Sequence, residues 1–397
     1  MLIKNAKILT PDVEHKNYFL ITLDDKIFKL GRMEEFEEDD SFERVIDLEN
    51  NYYICPGFID IHTHGALGID VTTQPERLSE ISAYKSRNGV TMYLPTLMSV
   101  LNSLDEHTDQ LQKLSKAIEK DKSYAKPLGI NLETPYLSPE CGMQQGKFNF
   151  PPTAKNNRAL IEAAKGYLKI ITIAPEIDGG IEAINFFNRQ GIITGLGHSL
   201  SEIDLIEEAI DNGANLATHL YNGTYQKPAR ELGVIPASLN EYLAVRDDVW
   251  AEAISDYNGA HINPTIMKLL VKAKGFDKLI IITDNLFCTG LEDEKIKLAD
   301  GRMLYKDYDV YRLENGHLGG SGYKLNHAVR NLRKNTGVQL IDGIKTITKN
   351  PAELLKIDHK VGSVRTGLNA DLTVIDDDLE VYLTMVDGKI CFEGLKT

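Results

Sequence analysis

Through the middle of the chain, short apolar runs alternate with stretches whose apolar residues recur at helical spacing. Eight runs read as strands, at residues 58–64, 91–97, 128–133, 168–174, 191–196, 215–219, 250–255 and 279–283. Between several of them the 3.6-residue period takes over, as at 204–212 and 264–274. Near-continuous apolar runs bounded by turn residues suit strands of a parallel sheet buried on both faces. Eight strand–helix units predict a (β/α)8 barrel of the TIM type, an α/β fold whose chemistry gathers at the C-terminal ends of its strands. A doubly wound open sheet is the alternative, but no glycine-rich nucleotide fingerprint follows the first strand.

The two ends of the chain are patterned differently. Residues 18–23 and 26–30 are short alternating stretches broken by turns, followed by an acidic run at 34–40. The C-terminus matches them with 370–375 and 380–386, then Asp387-Gly388, then 389–392. Asp-Gly between alternating apolar runs is a strong hairpin signal. The expected organisation is a small β-sandwich domain built from residues 1–54 and 362–397, with the barrel, 55–361, inserted between them.

Composition narrows the function more than the fold. The 397 residues are 42% hydrophobic and 26% charged, as in a soluble globular protein. A formal charge of −14 argues against nucleic acid or an anionic membrane surface as a partner. A small anionic substrate remains compatible, since a local basic site overrides the global sign. The cysteines, Cys55, Cys141, Cys288 and Cys391, are far apart and form no CxxC, which reads as reduced thiols. The first residues carry no apolar signal core, and no run approaches a membrane span, so a cytoplasmic protein is expected.

The candidate chemistry sits where the strands end. His62 and His64 are two apart in the first strand, so both imidazoles leave one face. Asn131 and Glu133 share a face of the third, where an unpaired carboxylate would be costly to bury. His198 follows the fifth strand between Gly197 and Ser199, His219 ends the sixth, and Asp284 ends the eighth. Singly, a strand-end histidine is more often hydrogen-bonded filler and an aspartate a helix cap. Together the six converge on one barrel mouth. His62, His64, Glu133, His198 and His219 suit zinc or a similar divalent metal, and Asp284 suits proton transfer.

These motifs, in this order, resemble the metal-dependent amidohydrolase superfamily, and within it the branch that deacetylates N-acetylglucosamine 6-phosphate. The resemblance rests on PGFIDIHTHG, NLETPYLSPE where the family has HLEGPFLSPE, IAPE for LAPE, LGHS, THLYN with an arginine eleven residues beyond its histidine, NGAH, and TDN before a Thr-Gly. It implies Glu133, His198 and His219 as the main metal site and His62 and His64 as support for a second metal, so one or two ions per subunit. Zinc is expected first, with iron, manganese or cobalt as alternatives. It implies Asp284 as the catalytic aspartate, Arg230 and His261 as binders of a sugar phosphate, and Asn222 and Gly223 as adjoining contacts. In the family the arginine is presented across a dimer interface, so a homodimer is implied too. Members with a metal pair bridged by a carbamylated lysine draw it from the fourth strand. Here that strand ends Ala174-Pro175-Glu176, which leaves Glu133 as the natural bridge.

Several positions depart from the family's pattern. Asn131 and Thr134 replace a histidine and a glycine, and a loop histidine that touches the N-acetyl group has Gln144 in its place. No histidine precedes the arginine in Lys227-Pro228-Ala229-Arg230. Asn258-Gly259-Ala260-His261 stands for Asp-Gly-x-His, and Asn222-Gly223-Thr224 for Asn-Ala-Met. The departures cluster around the acyl group and sugar ring. Deacetylation of another N-acyl sugar phosphate, such as N-acetylgalactosamine 6-phosphate, is therefore a second expectation. A non-enzymatic relative is the third, weakened because every ligand and Asp284 are present.

Overall fold

The computed structural model describes residues 1–37, 41–98, 101–141, 150–224, 237–298 and 301–395. The apolar runs form the predicted strands: Phe58–Thr63, Val90–Leu97, Ile130–Tyr136, Leu168–Ile173, Ile193–Leu196, Leu216–Ala217, Trp250–Ile254 and Leu279–Ile282. Every residue of the first, second, third and seventh is buried, as strands covered on both faces require. They pair in parallel in chain order. The circle nearly closes where the Asp284 N–H donates to the His62 carbonyl at 2.9 Å and the His64 N–H to the Asn285 carbonyl at 2.8 Å. The sixth strand is only two residues long, shorter than the apolar run suggested, because the chain turns at Thr218–Tyr221.

The helices lie between the strands. Pro264–Lys274 has the boundaries its pattern predicts, with Asn263 accepting from the Thr265 N–H at 2.9 Å, Pro264 in the first turn and Gly275 at the end. The 204–212 stretch folds as Ile203–Asp211.

One sheet was not anticipated. After the eighth strand, Lys295–Lys297, Met303–Asp307, Val310–Leu313 and Leu318–Ser321 form an antiparallel sheet with its own core of Leu286, Cys288, Leu304, Tyr311 and Leu313. Its last strand returns to the barrel mouth, where the Ser321 N–H donates to the Asp284 carbonyl at 3.1 Å.

The two chain ends meet in a single sheet. Leu2–Leu9, Glu14–Leu23, Lys26–Arg32, Val45–Asp47 and Tyr53–Pro56 join Leu372–Ile375, Val381–Val386 and Lys389–Glu393. Asp387 and Gly388 both have positive φ, +46° and +74°, as the expected two-residue turn demands. The sheet rolls over Ile3, Ile8, Leu20, Ile54, Leu372 and Leu383, while Tyr53 and Cys55, on the other face, pack against the barrel. Ile27 and Leu368 close the roll through a 2.9 Å backbone bond. Cys55, Cys141, Cys288 and Cys391 form no disulfide. Among the described residues no helix is long and apolar enough to cross a membrane.

Candidate metal centre and active site

The first strand delivers two imidazoles whose orientation is fixed from behind. His62 Nδ1 lies 3.1 Å from Glu252 Oε2, on the seventh strand, and His64 Nδ1 lies 3.0 Å from the Thr96 carbonyl. Holding Nδ1 as the donor leaves each Nε2 facing the centre of the barrel mouth. There they meet Glu133. Its Oε1 is 2.9 Å from His198 Nε2, 3.0 Å from His219 Nε2 and 3.8 Å from His62 Nε2, and its Oε2 is 3.5 Å from His64 Nε2. Asp284 Oδ1 completes the ring, 3.0 Å from His64 Nε2 and 3.6 Å from His62 Nε2. The structure therefore gathers His62, His64, Glu133, His198, His219 and Asp284 into one cluster.

The electrostatics follow from that crowding. Burial pushes the Glu133 carboxyl up, but hydrogen bonds from His198 and His219 outweigh it and hold the group well below the usual range. Asp284 is lowered in the same way, burial being overcome by His64 and His62. Burial pulls His62 down, yet Glu252 more than reverses this and the imidazole rises to about 10. Burial lowers His198, whereas Glu133 overcomes burial at His219 and raises it.

A divalent metal fits this donor set. Glu133, Glu252 and Asp284 are three carboxylates deep in the mouth, and among the described residues no lysine or arginine pairs with any of them. His62 Nε2 is buried with no hydrogen-bond partner. Ligand atoms held about 2.0–2.2 Å from one ion lie about 3–3.5 Å from each other, close to the separations around Glu133 Oε1. Two overlapping triads meet the distance requirement, His62–Glu133–His219 and His62–His64–Asp284.

The backbone beneath these side chains is strained where they are presented. His198, His219, Tyr221 and Asp284 have φ of +47°, +29°, +72° and +50°. A non-glycine residue persists there only when its surroundings over-determine it. Glu176, at the end of the fourth strand, binds the chain beside His198 by accepting from Ser199 Oγ at 2.7 Å, the Leu200 N–H at 2.5 Å and Ser201 Oγ at 2.6 Å. Gly223, at φ +64°, lies against the His198 ring, and a Cβ there would come within 2.6 Å of Nδ1. Gly223→Ala should therefore displace His198, lower stability by about 1–2 kcal/mol for the left-handed backbone alone, and weaken metal retention. Thermal unfolding and metal content measured together would check this; a variant matching the wild type in both would refute it.

A cavity of about 380 Å³ opens over the cluster, walled by Tyr221, Asn222, Gly223, Thr224 and His261 and roofed by Met98 and His317–Gly320. His261 Nδ1 lies 2.7 Å from Asp256 Oδ2, and Asp256 also accepts from the Ala260 and His261 N–H groups at 2.6 and 2.8 Å. Sequence reasoning placed Asn258 where the family has aspartate; the structure puts the carboxylate that holds His261 at Asp256, two positions earlier. Burial would raise the Asp256 carboxyl, but His261 and the two N–H groups hold it below its ordinary value. Glu252 was also missed, as a lone acid inside an apolar strand. Thr134 does not take up a glycine-only angle: its φ is negative, and its Oγ1 lies 3.2 Å from His107 Nε2. Asn131 Nδ2 donates to the Ile61 carbonyl at 3.0 Å, behind His62. Gln144 and Arg230 lie outside the described residues.

Comparison with known proteins agrees with this geometry. Residues 53–391 match the amidohydrolase family. The chain is 32% identical over 402 residues to N-acetylglucosamine-6-phosphate deacetylase of Bacillus subtilis, covering 99% of this chain and 97% of that one. It is 30% identical over 344 residues to N-acetylgalactosamine-6-phosphate deacetylase of Escherichia coli O157:H7, covering 85% and 87%. The crystal structure of N-acetylglucosamine-6-phosphate deacetylase from Pasteurella multocida superposes with a TM-score of 0.87 at 27% identity, covering 98% of each chain. Eight parallel strands bring imidazoles and carboxylates to one mouth, and the match spans most of the sequence: the chain belongs to the amidohydrolase family.

Proposed function

We propose that the protein hydrolyses the acetamide of N-acetylglucosamine 6-phosphate to glucosamine 6-phosphate and acetate, in amino-sugar catabolism. The observation that carries this is Asp284, held between His62 and His64 beside Glu133, at the floor of a cavity walled by His261. Glu133, His198 and His219 would hold a divalent ion, zinc first among the candidates, with His62 and His64 holding a second. When bound, the ion supplies Lewis acidity toward the amide carbonyl and toward water.

The remaining steps belong to the chain's own residues. Asp284, its carboxyl held low and so ionised at neutral pH, takes the proton as a water oxygen bonds to the acetamide carbon. It returns a proton to the amine nitrogen as the C–N bond breaks, leaving acetate and the free amine. Backbone bonds on either side, from the Asp284 N–H to the His62 carbonyl at 2.9 Å and from the Ser321 N–H to the Asp284 carbonyl at 3.1 Å, keep that carboxylate in place between the two transfers.

His261 would meet the phosphate. Asp256 fixes its Nδ1, which leaves Nε2 to the ligand. The resemblance assigns Arg230 to the same sugar phosphate, for which a bidentate fork is suited, with Asn222 and Gly223 as the adjoining contacts. Gln144 stands where the family has a histidine that touches the acyl group and would donate an amide hydrogen bond there. Presentation of Arg230 by a neighbouring subunit makes a homodimer part of the proposal, as are a cytoplasmic location and the division into a barrel at 55–361 and an end-sheet domain from 1–54 and 362–397. Phosphate binding, remote from the reacting bond, would position the amide.

A second reading, N-acetylgalactosamine 6-phosphate as substrate, is favoured by the E. coli O157:H7 relative and by the changes at Asn131, Thr134 and Gln144. Acetate release from both phosphorylated epimers and from the unphosphorylated sugars, with and without added zinc or manganese, tests both. Metal-dependent turnover of N-acetylglucosamine 6-phosphate at least about tenfold faster than of the unphosphorylated sugar is expected, since a charge-assisted contact contributes about 1.5–3 kcal/mol. Preference for the other epimer would move the assignment, and no turnover of any would overturn it.

A further inference from the structure

Lys85 and Asp60 form an ion pair that has no part in the chemistry above. Both are buried, at 3% and 0% exposure. Such a pair is a poor stabiliser compared with apolar residues of similar volume, so its presence asks for another reason. Lys85 Nζ, from the helix Leu78–Ser86, reaches Asp60 Oδ2 at 2.6 Å and Asn285 Oδ1 at 3.2 Å. Asp60 in turn accepts from Thr283 Oγ1 at 2.7 Å and from the Thr283 N–H at 3.3 Å. The two residues gripped in this way are the neighbours of Asp284 on either side. Asn285 is held further, its Nδ2 donating to Ser321 Oγ at 3.1 Å and to the Tyr323 carbonyl at 2.8 Å. Between them Asp284 sits at φ +50°, an unfavourable angle for an L-residue that needs outside support.

We propose that the Lys85–Asp60 pair is a positioning device for the reaction: by gripping Thr283 and Asn285 it holds Asp284 in the left-handed conformation that aims its carboxylate at His62 and His64. The inference rests on the acid/base reading of Asp284. Without the grip, Asp284 relaxes toward ordinary backbone angles and Oδ1 leaves its place 3.0 Å from His64 Nε2. A displacement of about 1 Å in a reacting group costs roughly 10²-fold in rate. The cavity wall that would receive the substrate, Asn222, Gly223 and His261, belongs to other elements and stays where it is.

The test is the double variant D60V/K85M, which removes both charges together and leaves neither buried alone. With N-acetylglucosamine 6-phosphate as substrate, kcat should fall about 10²-fold, with KM and bound metal per chain within about twofold of wild type. In an Asp284→Asn background the same pair of changes should add no further loss, since the group it positions is already gone. Thr283→Val, which breaks one strand of the grip and unpairs no charge, should lower kcat about tenfold and serves as the probe if the double variant does not fold. Wild-type kcat in a folded D60V/K85M or in Thr283→Val overturns the positioning role, as does a further loss in the Asp284→Asn background. Wild-type kcat in Asp284→Asn alone would instead overturn the acid/base reading on which the inference stands.

Discussion

Asp284→Asn should lower kcat by about 10³- to 10⁴-fold while the protein stays folded and keeps its metal. Asparagine has the same shape, and the Asp284 backbone bonds to His62 and Ser321 do not involve the side chain, so the cluster geometry survives. It neither takes up nor releases a proton near neutral pH. General acid–base catalysis by one positioned group contributes about 10²- to 10⁴-fold. Asp284 would serve twice, as base toward water and as acid toward the departing amine, which puts the loss at the upper end. Metal content and thermal unfolding, measured beside acetate release, separate a chemical defect from collapse of the site. A loss of less than tenfold with metal retained would show that another group moves the proton.

What the sequence made legible was whatever had a local signature. Leu279–Ile282 is apolar throughout and Val90–Leu97 is broken only by Thr91 and Thr96, and turn residues lie beside both, so their existence could be read without knowing their neighbours. Imidazoles and carboxylates at their ends, His64, Glu133 and Asp284 among them, could be assigned to one mouth because every barrel strand points the same way. The groups that escaped are those whose meaning lies in a distant partner. Glu252 is one acid in an apolar strand until His62 is found 3.1 Å away, and Asp256 gains its role only from the fold of the loop up to His261. Lys85 reads as part of a helix, and nothing local says that its ammonium is buried on Asp60. The sheet Lys295–Ser321 did leave a trace, the Asn315-Gly316 pair typical of tight turns, but its short and partly polar strands gave no apolar run to notice.

Glu133→Gln should strip the protein of tightly bound metal, with affinity falling at least about 100-fold and turnover following it. Glu133 is the one carboxylate that all four imidazoles face: Oε1 meets His62, His198 and His219, and Oε2 meets His64. A glutamine keeps the volume but removes the charge and turns half of the group into a donor, directed at ring nitrogens that must themselves present lone pairs to an ion. Removing a residue that merely orients a ligand typically lowers metal affinity 10- to 100-fold, so loss of the shared anion should reach or exceed that upper value. The expected signature is a metal-poor protein after dialysis and partial recovery of turnover in excess zinc or manganese. It differs from that of Asp284→Asn, where metal stays and turnover does not return. A Glu133→Gln protein that holds metal as the wild type does would mean that His198 and His219 are joined around an ion by some other anion. Glu252, buried 3.1 Å from His62 with an unpartnered Oε1, would then be the first group to substitute.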